Sequence, residues 1–221
     1  MSIELKKRIL TSIFLLSLLI TMYLYSFVMI SALIIIAIIV WVEFYALISK
    51  IIKNNKFKNI FFRFILKALS LFYLSLFVYF VFVIESYYPT LKMYLFYSTL
   101  VAILSDIGGL LFGKIFKGKK LTKISPNKTI SGSIGSFVLS MFLIPLFYEK
   151  IIMYDLLTFI IITIVICLIA QLGDLFISFL KRKAKVKDTS NLLPGHGGLL
   201  DRVDGIIFAA PIGILLLNIL N

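Results

Sequence analysis

Apolar residues run along this chain in blocks of about 20, the length needed to cross a hydrocarbon layer as a helix. Polar residues gather between the blocks rather than alternating within them. The pattern predicts an all-α bundle of about seven transmembrane helices. The expected spans are Ile9 to Ser26, Phe27 to Ile48, Ile60 to Ile84, Tyr94 to Phe112, Ser133 to Tyr148, Leu156 to Leu180 and Val203 to Leu220. The first block follows Lys6-Lys7-Arg8 and has the outline of a signal peptide. It lacks a small-x-small cleavage site and runs straight into the second block, so it reads as a retained helix.

Basic residues concentrate at the N-terminus, Lys50 to Lys58, Lys114 to Lys128 and Lys181 to Lys187, whereas Glu85 to Thr90 and Glu149 to Asp155 are not basic. By the positive-inside rule the chain starts inside and ends outside, which an odd number of spans allows. Residues 1–92 form an expected N-terminal set of helices. Residues 93–221 form the expected catalytic region, the two together making one structural domain. The polar and Gly/Pro-containing loops, Lys114 to Ile130 and Lys181 to Arg202, lie on the expected cytoplasmic side, so chemistry is expected there.

Composition agrees with this picture. The 221 residues are 61% hydrophobic, with a mean hydropathy of +1.08. The net charge of +13 does not point to nucleic acid, because the basic residues are interleaved with spans. Topology and attraction to anionic headgroups or polyphosphates account for it. Cys167, the sole cysteine, excludes an intrachain disulfide, and one Cys with one His cannot build the usual zinc site. Cys167 is expected to be buried and inert.

Two acids break the apolar blocks. Asp106 and Asp174 each lie about two helical turns before a burst of lysines. A carboxylate at such depth costs roughly 2.5–3.5 kcal/mol on insertion scales. Asp201 and Asp204, three apart and so on one helical face, stand where the last span re-enters from the same side. Four carboxylates near one membrane face repel unless cations intervene, so Mg2+ or Mn2+ bound by Asp106, Asp174, Asp201 and Asp204 is the simplest resolution. The alternative is that each Asp pairs with a Lys or Arg or caps a helix. For Asp174 the nearest base in sequence is Lys181, about two turns away.

Around the acids lie phosphate-binding residue types. Ser125-Pro126 has the form of an N-cap followed by a first-turn proline, with Lys128 and Thr129 adding a charge and a hydroxyl. Such a start also opens many helices that bind nothing. Lys181, Arg182, Lys187 and Arg202 suit phosphate oxygens. Gly195, Gly197 and Gly198 permit close backbone approach, and His196 sits between them in a polar loop, where a surface turn is its alternative reading. Lys183 and Lys185 fit headgroup contact or topology.

These residues together resemble the phosphatidate cytidylyltransferase (CDP-diglyceride synthase) family. Ser178, Leu180, Lys181, Arg182, Lys187, Asp188, Ser190, Leu193, Pro194, His196, Gly197, Gly198, Asp201, Arg202 and Asp204 match the family's motif in order and spacing. Gln171, Gly173 and Asp174, and Asp106, Gly108 and Gly113 followed by Ser125-Pro126, Lys128-Thr129 and Gly132, are similar to two further family stretches. In the first half only Trp41, Glu43 and Phe44 form a family-like patch. Asn127 replaces a usual Lys, and Ile130-Ser131 stand where Trp-Glu is common. The resemblance implies cytidylyl transfer from CTP to phosphatidic acid, giving CDP-diacylglycerol and pyrophosphate. It also implies a divalent cofactor and a homodimer among membrane lipids, and it leaves a monovalent cation open.

On that basis Asp174, Asp201, Asp204, His196, Lys187 and Asp188 are the expected catalytic set. Ser125, Lys128, Thr129, Ser178, Lys181, Arg182, Gly197, Gly198 and Arg202 are the expected substrate-binding set. A cytoplasmic-facing site in the inner membrane follows. Rivals are a CTP-dependent polyprenol or phytol kinase and, from another class, a cation transporter. Clustering of the acids on one side argues against the transporter. CDP-alcohol phosphotransferases open with an Asp-Gly-x-x-Ala-Arg motif that is absent here.

Overall fold

The computed structural model describes residues 3–53, 56–122, 125–151 and 155–219. The expected span end at Leu220 and the terminal Asn221 lie outside them. The described residues form α1 (Ile3–Leu24), α2 (Ser26–Ile51), α3 (Phe57–Tyr87), α4 (Pro89–Phe116), α5 (Ile130–Met141), α6 (Ile144–Phe147), α7 (Leu156–Lys183) and α8 (Leu200–Ile219). With α5 and α6 taken as one span, seven segments are long and apolar enough to cross a membrane. The chain is an all-helical integral membrane protein. Large apolar side chains such as Phe27, Phe64, Phe72 and Leu157 stay exposed along these helices, as lipid, unlike water, permits.

The helices exceed several expected spans. α3 and α4 each run past the apolar block at both ends, because backbone hydrogen bonding continues once a helix is nucleated. The fifth span instead breaks after Met141. Pro145 lacks the N–H that would continue the ladder, and the short α6 resumes at Ile144.

The chain divides into two compact units. One comprises Met1–Tyr87 and Leu180–Arg202, the other Tyr88–Phe179 and Val203–Asn221. In the first unit α2 packs on both α1 and α3, with Val40, Leu47, Val81 and Ile84 buried.

In the second unit α4 packs closely on α5. A Cβ on Gly108 would collide with the Gly135 carbonyl, and one on Gly135 with Phe112. These glycines therefore set how near the two backbones come. Polar side chains join the helices at the same contact. Ser136 donates to the Ser105 carbonyl at 2.6 Å and Ser140 to the Val101 carbonyl at 3.2 Å. Ser133 on α5 donates to Gln171 Oε1 on α7 at 2.6 Å, and Gln171 Nε2 reaches Cys167 Sγ at 3.5 Å. Cys167 is buried and free. Tyr97 shares a 2.6 Å hydrogen bond with Thr163 and stacks on Phe159. In hydrocarbon such bonds replace the absent pull of water and fix helix rotation, which sets the direction of Asp174 on α7.

Candidate active site

In the second unit the chain between α4 and α5 closes on itself. Leu121 N–H donates to the Lys128 carbonyl at 2.8 Å and Ile130 N–H to the Lys119 carbonyl at 3.0 Å, across a Lys120–Thr129 bridge. This pairing holds Thr129 extended, so the helix does not begin at Ser125-Pro126 as expected. Pro126 and Asn127 form a turn, closed by Lys128 N–H on the Ser125 carbonyl at 3.1 Å. Thr129 is the N-cap of α5, its hydroxyl accepting from Gly132 N–H at 3.0 Å. Ser125 is buried.

The turn delivers Lys128 to Asp174 Oδ2 as an ion pair in which both side chains keep about a quarter of their exposure, 25% and 24%. Ser178 Oγ, one turn on, donates to Asp174 Oδ1 at 3.3 Å. Asp174 thus has a basic partner, but one from a distant loop and not its neighbour in sequence. Asp106 is half-buried on α4. Asp204 is buried on α8, with Oδ1 accepting from Gly205 N–H at 2.8 Å.

In the first unit the 184–199 loop folds back over the start of α8. Leu193 and Gly197 bridge, with Leu193 N–H on the Gly197 carbonyl at 2.8 Å. Gly197 takes a φ of 83°, the left-handed region that glycine tolerates without strain. Gly198 has no room for a side chain, since a Cβ there would collide with Thr189 Oγ1 and stand 2.6 Å from Glu43 Oε2.

Asp201, in the first turn of α8, is the centre of this loop. Its Oδ2 accepts from Thr189 N–H at 2.9 Å and Gly198 N–H at 3.1 Å, with Thr189 Oγ1 also at 3.1 Å. Its Oδ1 accepts from Lys181 Nζ at 2.6 Å, the two side chains being 14% (Lys181) and 5% (Asp201) exposed. Arg202 donates through Nε and Nη2 to the His196 carbonyl at 3.1 and 2.6 Å, which clamps the loop. Arg182, Lys187 and Asp188 are exposed.

His196 Nε2 lies 3.4 Å from Ser12 Oγ on α1, and Thr11 Oγ1 donates to the Pro194 carbonyl at 3.0 Å. Burial and then the charges of Arg202 and Arg8 hold the imidazole below its ordinary value of 6.5, because both effects disfavour the imidazolium. Both favour the uncharged ring.

A model of the cytidylyltransferase family matches residues 2–220. The chain belongs to that family. Its relatives include proteins named phosphatidate cytidylyltransferase. One from Staphylococcus aureus (strain COL) is 43% identical over 130 residues, covering 58% of this chain and 48% of that protein. One from Staphylococcus haemolyticus (strain JCSC1435) is 42% identical over 130 residues, with coverage of 58% and 48%. One from Staphylococcus saprophyticus subsp. saprophyticus is 40% identical over 130 residues, covering 57% and 50%. The chain spans about half the length of the curated relatives it matches. The family match covers the N-terminal helices too, where the sequence offered only the Trp41–Glu43–Phe44 patch.

Asp106, Asp174 and Asp204 in one unit and Asp201 in the other are carboxylates, the residue type a hard divalent ion takes. Asp174 and Asp201 each already hold a cationic group at one oxygen. Among the described residues, no three His, Cys, Asp or Glu side chains converge on one point. Lysines close on two of the carboxylates instead. Glu43, which the sequence marked only as part of the Trp41–Glu43–Phe44 patch, was given no role there. It is the one acid in α2, it is buried, and it binds the 189–200 segment. Its isolation within an apolar block was the available signal.

Proposed function

We propose that this protein is a phosphatidate cytidylyltransferase, transferring the cytidylyl group of CTP to phosphatidic acid to give CDP-diacylglycerol and pyrophosphate. The observation that carries the reading is the motif segment from Ser178 to Asp204 and its fold. It sets Lys181 on Asp201 and leaves Arg182 and Lys187 exposed, in a chain matched by the family model over nearly its whole length.

The lipid phosphate is already an anionic nucleophile, so the reaction needs no covalent enzyme intermediate. A phosphate oxygen bonds to the α-phosphorus of CTP while the bond from that phosphorus to the β-phosphate bridge breaks, and pyrophosphate leaves. The barrier is the approach of like charges. Lys128, Lys181, Arg182, Lys187 and Arg202 neutralise phosphate oxygens, the guanidinium groups gripping two at once. Ser125, Thr129 and Ser178 offer hydroxyls. Gly197 and Gly198 let backbone N–H groups come close, and His196 orients a phosphate. Asp188, exposed beside Gly197, completes the set. Asp106, Asp174, Asp201 and Asp204 would hold divalent metal, which supplies charge neutralisation at the transferring phosphoryl group. When CTP arrives, its phosphates compete for the lysines now paired to Asp174 and Asp201, and this exchange frees carboxylate oxygens. The site would face the cytoplasm, in the inner membrane, with acyl chains left in lipid and the protein a homodimer.

The test uses purified protein in lipid with phosphatidate, Mg2+ and CTP labelled at the α- or γ-phosphate. The α-label should enter lipid with release of pyrophosphate. Label reaching lipid only from the γ-position, with CDP as by-product, would establish a kinase instead and end the proposal.

A further inference from the structure

Glu43 makes a connection that nothing in the reaction itself explains. Its carboxylate lies in the C-terminal half of α2, 5% exposed, and four donors converge on its two oxygens. Oε1 accepts from Ser190 Oγ at 2.5 Å and Leu199 N–H at 3.0 Å, and Oε2 from Thr189 Oγ1 and Leu200 N–H, both at 2.8 Å.

The amides of Leu199 and Leu200 stand at the start of α8, where no helical carbonyl can reach them. Helices normally satisfy such amides with a local Ser, Thr, Asp or Asn. At the start of α8 a carboxylate from a helix more than a hundred residues earlier in the sequence also does so. The same carboxylate grips Thr189 and Ser190 at the far end of the loop, so Glu43 pins both ends of the segment that carries the Pro-Gly-His-Gly-Gly turn.

Thr189 extends the link one step further. Its N–H donates to Asp201 Oδ2 at 2.9 Å, and its hydroxyl stands between Glu43 Oε2 at 2.8 Å and Asp201 Oδ2 at 3.1 Å. A hydroxyl has one proton, and here the nearer oxygen, on Glu43, takes it. That leaves the Thr189 and Gly198 N–H groups to hold Asp201 Oδ2, with Oδ1 turned to Lys181. The orientation of Asp201 therefore depends on Thr189, and the position of Thr189 depends on Glu43.

We propose that Glu43 is a positioning residue for the reaction. It acts through Thr189 and the Leu199–Leu200 amides to hold Asp201 and Lys181 in register, and it does not touch substrate. This inference rests on the cytidylyltransferase reading above for its kinetic consequence, while its structural part stands apart from that reading.

The test compares wild type, Glu43→Gln, Thr189→Val and the double variant, each purified in lipid. It measures thermal unfolding, deuterium exchange at backbone amides, and kcat and KM for CTP. Glutamine keeps the length of the side chain but has only one oxygen for two backbone amides. Exchange should quicken at Leu199 and Leu200, and also at Thr189 and Gly198, the amides that hold Asp201. kcat should fall roughly 10- to 100-fold, as for other residues that orient a ligating group, with KM for CTP changed less than about threefold. The double variant should fall no further than Glu43→Gln, because both changes break one link.

Unchanged exchange at these four amides, a kcat within about twofold of wild type, or fully multiplicative losses in the double variant would each overturn the proposal. If Glu43→Gln does not accumulate as folded protein, Thr189→Val alone decides, since it keeps Glu43 and both α8 amides. A normal kcat in that variant refutes the link to Asp201. Should wild type form no CDP-diacylglycerol, the functional reading fails, and the exchange pattern alone still supports or overturns the positioning role.

Discussion

Replacing Asp201 with asparagine removes one negative charge and almost no volume. In the native protein Oδ1 takes Lys181 Nζ at 2.6 Å and Oδ2 takes the Thr189 and Gly198 amides. An asparagine carbonyl can serve the two amides, but its NH2 then points at an ammonium group only 14% exposed. Stranding one member of a buried ion pair costs about 3–5 kcal/mol. Lys181 retains some access to solvent, so the lower end, about 3 kcal/mol, applies. At roughly 2–4 °C per kcal/mol for a chain of this size, the expected fall in Tm is about 6–12 °C. Adding Lys181→Met removes the stranded charge, and an apolar replacement for a buried pair is close to neutral. The double variant should therefore regain most of the lost Tm while CTP-dependent product formation stays at least about tenfold down. Thermal unfolding in lipid, with labelled-CTP turnover on the same samples, reads both. An Asp201→Asn protein that melts within about 2 °C of wild type, or a double variant no more stable than the single, would refute this account of the pair.

Further outcomes follow from other contacts. Lys128→Met should leave insertion and unfolding nearly unchanged, since the pair with Asp174 is a quarter exposed and so contributes about 1 kcal/mol or less. Turnover with CTP should still drop by roughly tenfold or more, and normal turnover would remove Lys128 from the site. Gly108→Ala places a methyl group against the Gly135 carbonyl. It should cost about 1–3 kcal/mol and lower the folded yield by gel filtration, whereas an unaffected yield would show that α4 and α5 can separate cheaply. His196, the only histidine, gives a single imidazole resonance whose titration midpoint should lie below 6.5. Its folded value is depressed, so its stabilising contribution is present above the unfolded value and is lost as pH falls through the folded one. A midpoint at or above 6.5 would contradict the burial described. Chelation of divalent ions should abolish product formation, and Mg2+ or Mn2+ should restore it; full activity in chelator would exclude the four aspartates as metal ligands.

The apolar blocks declared the fold directly, because a backbone in hydrocarbon must satisfy its own hydrogen bonds and a block of about 20 residues can do so only as a helix. The intramembrane aspartates and the Ser178–Asp204 motif were legible for a related reason. Charge is costly in such segments, so its presence already carries information, and the motif declares itself by residue order and spacing. Where those groups point was not legible. Asp174 meets Lys128, a base from outside its own helix, α5 is N-capped by Thr129 rather than by Ser125, and Glu43 of α2 caps α8. Each of these depends on which helix faces are rotated together by packing and hydrogen bonds between residues far apart in the chain. Spacing along one segment reports which side chains share its face, but not which distant donor will arrive there. That was settled only when the loops before α5 and α8 closed.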